Sequence, residues 1–215
     1  MPNYTALKNR LEELEKKAWN IPAIEAKFKE LTQGGIPTRA LNWNEIIAHK
    51  DEILDRVQHR AEEYEFLSHS CAKGSALAIM EEFGLGNMEI IKALSPFPGF
   101  GMTGQICGGV TGGIVALGLY FGSTELLDYG SNGRAISAAR EFIPRFEKEI
   151  GSILCPKIQE DVIFGTYMDP RGSQENLEAF MRAKGHEKCA LPPGIGAKIA
   201  TQIIIESMEK ERLKG

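Results

Sequence analysis

An uncharged stretch in the middle of the chain sets the strongest limit on how the chain can fold. No charged residue occurs from Ala93 to Thr124, which is long enough to cross a bilayer. A membrane helix, however, needs about 20 predominantly apolar residues, and only Ile114 to Phe121 is densely apolar here. Glycines and prolines interrupt the rest of the stretch. We therefore expect a buried core helix entered through a glycine-rich loop, and no membrane span.

The remaining sequence is dominated by helical periodicity. Leu7, Leu11 and Leu14 recur at helical spacing among charged residues, and Asn42 or Asn44 is a suitable N-cap for a long helix reaching about Phe66. There is no repeat and no alternation of strands and helices. The sequence predicts an all-α fold, a helical bundle with short connections. Further helices are expected over residues 71–83, 88–94, 105–122, 132–150, 156–165, 174–184 and 194–213.

The composition changes near residue 65 and suggests two parts. Residues 1–64 are charged, amphipathic and free of cysteine, which predicts an N-terminal helical arm. Residues 65–215 contain all four cysteines and form the second predicted domain. The arm would pack on the rest of the chain or on a second copy, so we expect a homodimer.

The net charge of the chain and its N-terminal residues limit the cellular compartment and the binding partners that we expect. The formal net charge is −4, and Lys and Arg are scattered among Glu and Asp, so no nucleic-acid-binding face is expected. The chain starts without an apolar run after a basic segment, which argues against a secretory signal and for a cytoplasmic protein. Structural disulfides are rare in such a reducing compartment. The cysteines should then be core residues, metal ligands or redox thiols.

The local sequence around the cysteines favours reactive or ligating roles. Their wide separation lacks the tight C-x-x-C pattern of zinc ribbons, and on spacing alone a buried cysteine is usually a small hydrophobe. Cys71, however, precedes a predicted helix, Cys107 falls in the first turn of another, and Cys155 stands before Pro156 at a predicted N-cap. Unpaired N–H groups and the helix dipole stabilise thiolate there.

Cys189 and the glycine run after Cys107 are less decisive. Pro192 and Pro193 follow Cys189 and predict an extended chain at that point. The run Cys107-Gly-Gly-Val-Thr-Gly-Gly places two G-x-x-x-G pairs on one side of a helix. Such glycines destabilise a helix by about 1 kcal/mol each unless another backbone or a bulky cofactor approaches closely. Both explanations remain open.

These segments together resemble the C-GCAxxG-C-C family, whose members are classed as redox-active and named for their cysteines. The resemblance extends over about residues 66–205 and includes four cysteines in the family's order. Two positions depart from the family pattern: Gly109 replaces a usual alanine, and Ser70 replaces a usual asparagine. The residues that carry the resemblance are Cys71-Ala72, Glu82 to Leu85, Gly99 to Met102, Cys107 to Gly113, Leu117 to Leu119, Gly151 to Cys155, and Cys189.

The resemblance implies an iron–sulfur site. Split-Soret cytochrome c has a similar four-cysteine module, which is associated with a two-iron, two-sulfur (2Fe-2S) cluster. By this resemblance the cluster ligands would be Cys71, Cys107, Cys155 and Cys189, and 2Fe-2S is favoured over 4Fe-4S. No C-x-x-C-H occurs in the chain, so covalent haem is not expected.

Several other side chains have a possible place in the site. His69 lies two residues before Cys71, and His186 lies three before Cys189. Either imidazole could replace a thiolate on iron or zinc, although two surface histidines near loops are the commoner arrangement. Phe97 and Phe100 could shield the site from water or simply pack in the core.

Three functions are compatible with these residues. The first is electron transfer through a cysteine-ligated cluster, with a protein that donates or accepts electrons as partner. The second is a metal-free thiol oxidoreductase in which Cys71 or Cys107 attacks and another cysteine resolves. The third is a helical interaction module with structural zinc or no metal.

Overall fold

The structure, a computed structural model, describes residues 1–214 and consists of helices joined by short connections. The only β-structure in this range is an isolated bridge between Ile106 and Leu154. The all-α prediction is therefore confirmed. The helices are α1 (Tyr4–Lys16), α2 (Ile21–Gly34), α3 (Trp43–Ala48), α4 (Lys50–Ser68), α5 (Cys71–Phe83), α6 (Met88–Ala93), α7 (Gly99–Met102), α8 (Gly108–Phe121), α9 (Tyr129–Ile150), α10 (Cys155–Ile158), α11 (Gln174–Arg182), α12 (Gly185–Cys189) and α13 (Leu191–Arg212).

Side-chain caps account for where several of these helices begin. Asn3, Asn20 and Asn42 each accept a hydrogen bond from a backbone N–H in the first turn of α1, α2 and α3. Asp128 and Ser173 do the same for α9 and α11. Each cap satisfies one of the N–H groups that have no partner within the helix.

The core is built around α5 and α8, which pack against α4, α9 and α13. Its fully buried members include Phe83, Leu117, Phe142, Phe146 and Ile204. The uncharged stretch thus supplies the central helix α8, as predicted. No helix in residues 1–214 has the length and apolarity needed to cross a membrane.

The glycines of α8 allow neighbouring backbones to approach closely. A Cβ at Gly109 would lie 2.7 Å from the carbonyl oxygen of Pro192 in α13. A Cβ at Gly112 would overlap the carbonyl oxygen of Ala72 in α5. Tight helix packing therefore explains these two glycines.

The N-terminal segment packs on the same chain. Leu7, Leu11 and Leu14 of α1 are buried, and α4 is one of the core helices. The predicted boundary at residue 64 falls inside α4. The division into two domains remains a prediction. The predicted helix ending near Phe66 is two helices, because the backbone departs from helical geometry at His49.

Some predicted helix limits are wrong for local reasons. Helix α8 starts at Gly108 instead of 105, because Cys107 is extended and bonded to another segment. Helix α9 starts at Tyr129 because Asp128 caps it. Helix α10 continues as a π-helix over Gln159–Ile163. Pro192 and Pro193 lie in the first turn of α13, where a missing N–H costs nothing, instead of in an extended chain.

Candidate functional site

The fold gathers the four cysteines around one small cavity, called the inner cavity below. Its volume is about 40 Å³, and Cys71, Cys107, Cys155 and Cys189 all line it. The other lining residues are Ile158, Gln159, Ile163 and Pro192. The four thiols are free of disulfides. Cysteines distant in sequence thus line one small cavity.

The isolated bridge joins the two segments that contain Cys107 and Cys155. The Cys107 N–H donates to the carbonyl of Ile153 at 2.8 Å, and the Cys155 N–H donates to the carbonyl of Gln105 at 2.8 Å. Each cysteine also stands at the start of a helix: Cys107 is the N-cap of α8, and Cys155 is the first residue of α10. The bridge therefore sets the two helix N-termini next to each other at the cavity.

Cys71 and Cys107 form a hydrogen-bonded pair. The hydrogen bond from the Cys107 thiol lowers the pKa of Cys71, and the backbone N–H groups of Gly108 and Ala72 assist. The same pairing with Cys71, together with burial, raises the pKa of Cys107 well above its usual value. Cys71 is therefore the sulfur of this pair that carries a negative charge most readily.

Cys155 and Cys189 are thiols in an apolar setting. Burial raises the pKa of Cys155 to about 12, although the side-chain amide of Gln159 donates to its sulfur at 3.7 Å. Burial, with nearby Glu65, Cys155 and Cys71, raises the pKa of Cys189 well above its usual value. Cys189 is the last residue of α12, and one residue, Ala190, separates it from the start of α13.

These pKa differences predict selective labelling of the metal-free protein. At pH 7, iodoacetamide should modify Cys71 first, because thiolate is the reactive form and Cys71 has the lowered pKa. Replacing Cys107 with alanine removes the donor to Cys71 and should slow that modification several-fold. Peptide mass mapping over time measures both rates. Faster labelling of Cys155 or Cys189 would contradict the assignment.

A second, larger cavity adjoins the first and is called the outer cavity. It has a volume of about 620 Å³ and is lined by Cys71, Cys155 and Cys189 but not by Cys107. Cys107 is buried, whereas the other three cysteines are half-buried. Three of the four sulfur-bearing residues therefore face a space large enough for a small molecule.

Glu65 is a buried carboxyl group in the wall of the outer cavity. Burial raises its pKa well above the usual value, the charge of Cys71 raises it further, and the Ser70 backbone N–H opposes the shift. One carboxyl oxygen, Oε2, has no hydrogen-bond partner. Glu65 is thus a proton-bearing group close to the cysteines.

The raised pKa of Glu65 predicts a pH-dependent stability difference. As pH rises above the usual pKa of glutamate, the native metal-free protein keeps this proton to a higher pH than the unfolded chain does, so the free energy of unfolding falls. Relative to the Glu65→Gln variant, wild type should lose up to about 1.4 kcal/mol per pH unit. Urea unfolding at several pH values measures this difference. If the difference in free energy of unfolding between wild type and Glu65→Gln does not change with pH, the prediction is wrong.

The two candidate histidines meet, but outside the inner cavity. The rings of His69 and His186 stack with centroids 3.5 Å apart, and both residues line the outer cavity. Burial and the neighbouring His69 lower the pKa of His186 to about 4. His69 has a left-handed backbone, with φ of 52°, which is uncommon for a residue with a side chain.

Phe97 and Phe100 do not shield the cysteines from water in the way that the sequence suggested. The two rings pack edge to face on each other, and neither residue lines the inner or the outer cavity. Phe100 is half exposed. The walls facing the cysteines come instead from Pro96, Pro98 and Met102 in the same loop.

A family model matches residues 69–203, which include all four cysteines. The family is described as putative redox-active protein (C_GCAxxG_C_C). The chain belongs to this family. Neither the curated proteins nor the solved structures provide a match.

Membership in the C_GCAxxG_C_C family confirms the resemblance found in the sequence and supports a redox role. The match begins at residue 69, so the family model does not include Glu65. Sequence reasoning also missed Glu65. The available signal was its position in the helical stripe of Val57 and Ala61, where an apolar residue would be expected.

Gln159 was missed as well. Its amide donates to Cys155, and its carbonyl oxygen accepts from the Met168 backbone N–H at 2.7 Å. Only the fold shows that this residue bridges the cavity wall and the following loop.

Proposed function

We propose that this protein holds a 2Fe-2S cluster through Cys71, Cys107, Cys155 and Cys189 and acts in electron transfer. The observation that carries the proposal is that these four residues line one small cavity. Membership in a redox-active family supports the redox part.

The size of the inner cavity favours the smaller cluster. A water molecule needs roughly 10–15 Å³ of such space, so about 40 Å³ accommodates about three atoms of that size. A two-iron core adds four atoms between the thiolates, whereas a four-iron core adds eight. The smaller group would therefore need less movement of the lining side chains than the larger one.

The proposal requires the cysteines to act in pairs. Within residues 1–214, no three His, Cys, Asp or Glu side chains converge closely enough to hold one metal ion. In a two-iron cluster with four cysteines, each iron takes two protein ligands. Cys71 and Cys107, which share a hydrogen bond, are one such adjacent pair.

The surrounding residues would protect and tune the site. Ile158, Ile163 and Pro192 line the inner cavity and give the sulfurs an apolar environment. Backbone N–H groups of Ala72 and Gly108 donate to Cys71, and that of Gly109 donates to Cys107. Such hydrogen bonds to sulfur set the reduction potential of a cluster. When bound, the cluster would supply reversible one-electron transfer.

Metal and sulfide analysis tests this function. The protein should be purified without oxygen and assayed for iron, acid-labile sulfide and zinc. We expect a brown protein with iron and sulfide in equal amounts and an electron paramagnetic resonance signal after reduction. A colourless protein that contains neither, even after reconstitution with iron and sulfide, would overturn the proposal. Zinc alone would favour the structural module instead.

The hydrogen bond between Cys71 and Cys107 supports a second candidate, a thiol oxidoreductase. Here the Cys71 thiolate attacks a substrate disulfide, one substrate sulfur leaves as a thiol, and Cys107 then resolves the mixed disulfide. Two electrons pass from the two cysteines to the substrate. This candidate predicts a reversible dithiol titration without iron.

The remaining partner assignments rest on the same proposal. An electron donor or acceptor protein is required, and the free thiols suit the reducing cytoplasm, where we place the protein. The homodimer remains a prediction. Leu7, Leu11 and Leu14, which suggested a docking arm, are buried in the same chain. Sedimentation at several protein concentrations tests the dimer, and a monomer would contradict it.

A further inference from the structure

Three residues that line the outer cavity each have a buried polar atom without a hydrogen-bond partner. These atoms are Oε2 of Glu65, Oγ of Ser68 and Oγ of Ser70. Glu65 is 4% exposed and Ser70 is 5% exposed. An unpaired buried polar group costs about 1–3 kcal/mol, so three of them in residues of one wall favour a polar partner there, either a ligand or ordered water.

The contrast with the other buried carboxylates makes Glu65 distinctive. Glu62 pairs with Arg10, Glu81 pairs with Lys27, and Glu82 pairs with Arg56 and Arg60. Among residues 1–214, Glu65 is the buried carboxyl group that takes part in no ion pair. The chain therefore supplies cations to buried carboxylates elsewhere but leaves Glu65, a residue of the cavity wall, without one.

The cavity also has two cations without carboxylate partners. Lys73 of α5 and Arg171 both line it, and neither forms an ion pair within the described residues. Glu65 is the acidic residue of the lining. Two cations with hydroxyl groups nearby form a suitable environment for a carboxylate.

We propose that the outer cavity binds a small organic carboxylate that also carries a hydroxyl or similar hydrogen-bonding group. Lys73 and Arg171 bind the carboxylate, and Glu65, Ser68 and Ser70 bind the polar group. The volume of about 620 Å³ and the apolar walls of the cavity suit an organic molecule. The apolar wall residues are Pro96, Pro98, Met102, Leu177 and Phe180.

This inference goes beyond the electron-transfer function. A molecule in the outer cavity would lie against Cys71, Cys155 and Cys189, which face both cavities. The binding site is inferred from the cavity and its polar lining residues alone. It therefore does not require that a cluster is bound. If both proposals hold, the bound carboxylate lies next to the redox centre.

Calorimetric titration with two matched probes tests the site. The probes are 4-hydroxybenzoate and its neutral isostere 4-hydroxybenzamide, and the protein is the full chain as purified. We expect 4-hydroxybenzoate to bind at least about tenfold more tightly, since one charge-assisted contact contributes about that factor. The double variant Lys73→Met, Arg171→Met should lose this preference.

Control variants keep the test specific. The double variant Lys29→Met, Arg140→Met removes the same charges from exposed positions outside this cavity and should keep the preference. Leu177→Trp fills the cavity and should weaken both probes. Circular dichroism melting verifies that each variant is folded.

The outcomes separate this proposal from the previous one. Absent binding of 4-hydroxybenzoate, or binding that both double variants leave unchanged, would overturn the site. If Lys73 and Arg171 only balanced thiolate charge, their removal would shift the reduction potential and leave probe affinity unchanged, which also overturns it. Iron and sulfide measured on the same samples report on the cluster independently.

Discussion

Alanine at any one of the four cysteines is expected to leave the anaerobically purified protein nearly colourless, with iron and sulfide close to zero. A two-iron cluster with only three thiolates has an open iron position and is lost readily, because the inner cavity offers no other ligand than the amide of Gln159. Iron and sulfide per chain, with the visible spectrum, measure the effect. Ser70→Ala, next to Cys71, keeps all four sulfurs and should retain the metal.

Cys155 and Cys189 make this experiment decisive between the two candidate functions. In a thiol oxidoreductase, the hydrogen-bonded Cys71 and Cys107 would do the chemistry, so alanine at Cys155 or Cys189 would preserve the reversible dithiol titration. In a cluster protein, all four replacements have equal consequences. Full iron content in Cys155→Ala or Cys189→Ala would rule out the proposed ligand set.

The parts of the fold that depend on local chemistry could be predicted from the sequence. Helical periodicity gives α1, the candidate cap Asn42 gives the start of α3, and the absence of charge in residues 93–124 gives a buried α8. The positions of Cys71, Cys107 and Cys155 near helix N-termini follow from the same signals. All of these signals lie within a few residues of the feature that they predict.

The arrangement of the site depends on contacts between distant residues and was not predictable. The bridge that joins Cys107 to Cys155 involves one residue pair, Ile106 and Leu154, which has no periodicity to detect. Cys189 was hard to place because Pro192 and Pro193 suit both an extended chain and a helix start. The family resemblance gave the cysteines a common role but no geometry.

Gly112→Ala is expected to destabilise the protein by about 3 kcal/mol, because overpacking a rigid contact costs about this amount. The added Cβ would overlap the carbonyl oxygen of Ala72 and approach Cβ of Ser75 to 3.0 Å, so α5 and α8 must separate. For a domain of this size, the melting temperature should fall by roughly 6–12 °C. Thermal unfolding of the metal-free protein measures the change.

Gly118→Ala is the matched control on the same helix. A Cβ at Gly118 would have no atom within 4 Å, so alanine should stabilise α8 by up to about 1 kcal/mol through its higher helix propensity. If alanine destabilises the protein at position 112 and stabilises it at position 118, then the close approach of α5, and not helix propensity, is the reason that Gly112 is required. Because Cys71 begins α5, the separation caused by Gly112→Ala should also reduce iron content, whereas Gly118→Ala should not. Similar melting temperatures for the two variants would contradict the close packing that brings Cys71 to the other cysteines.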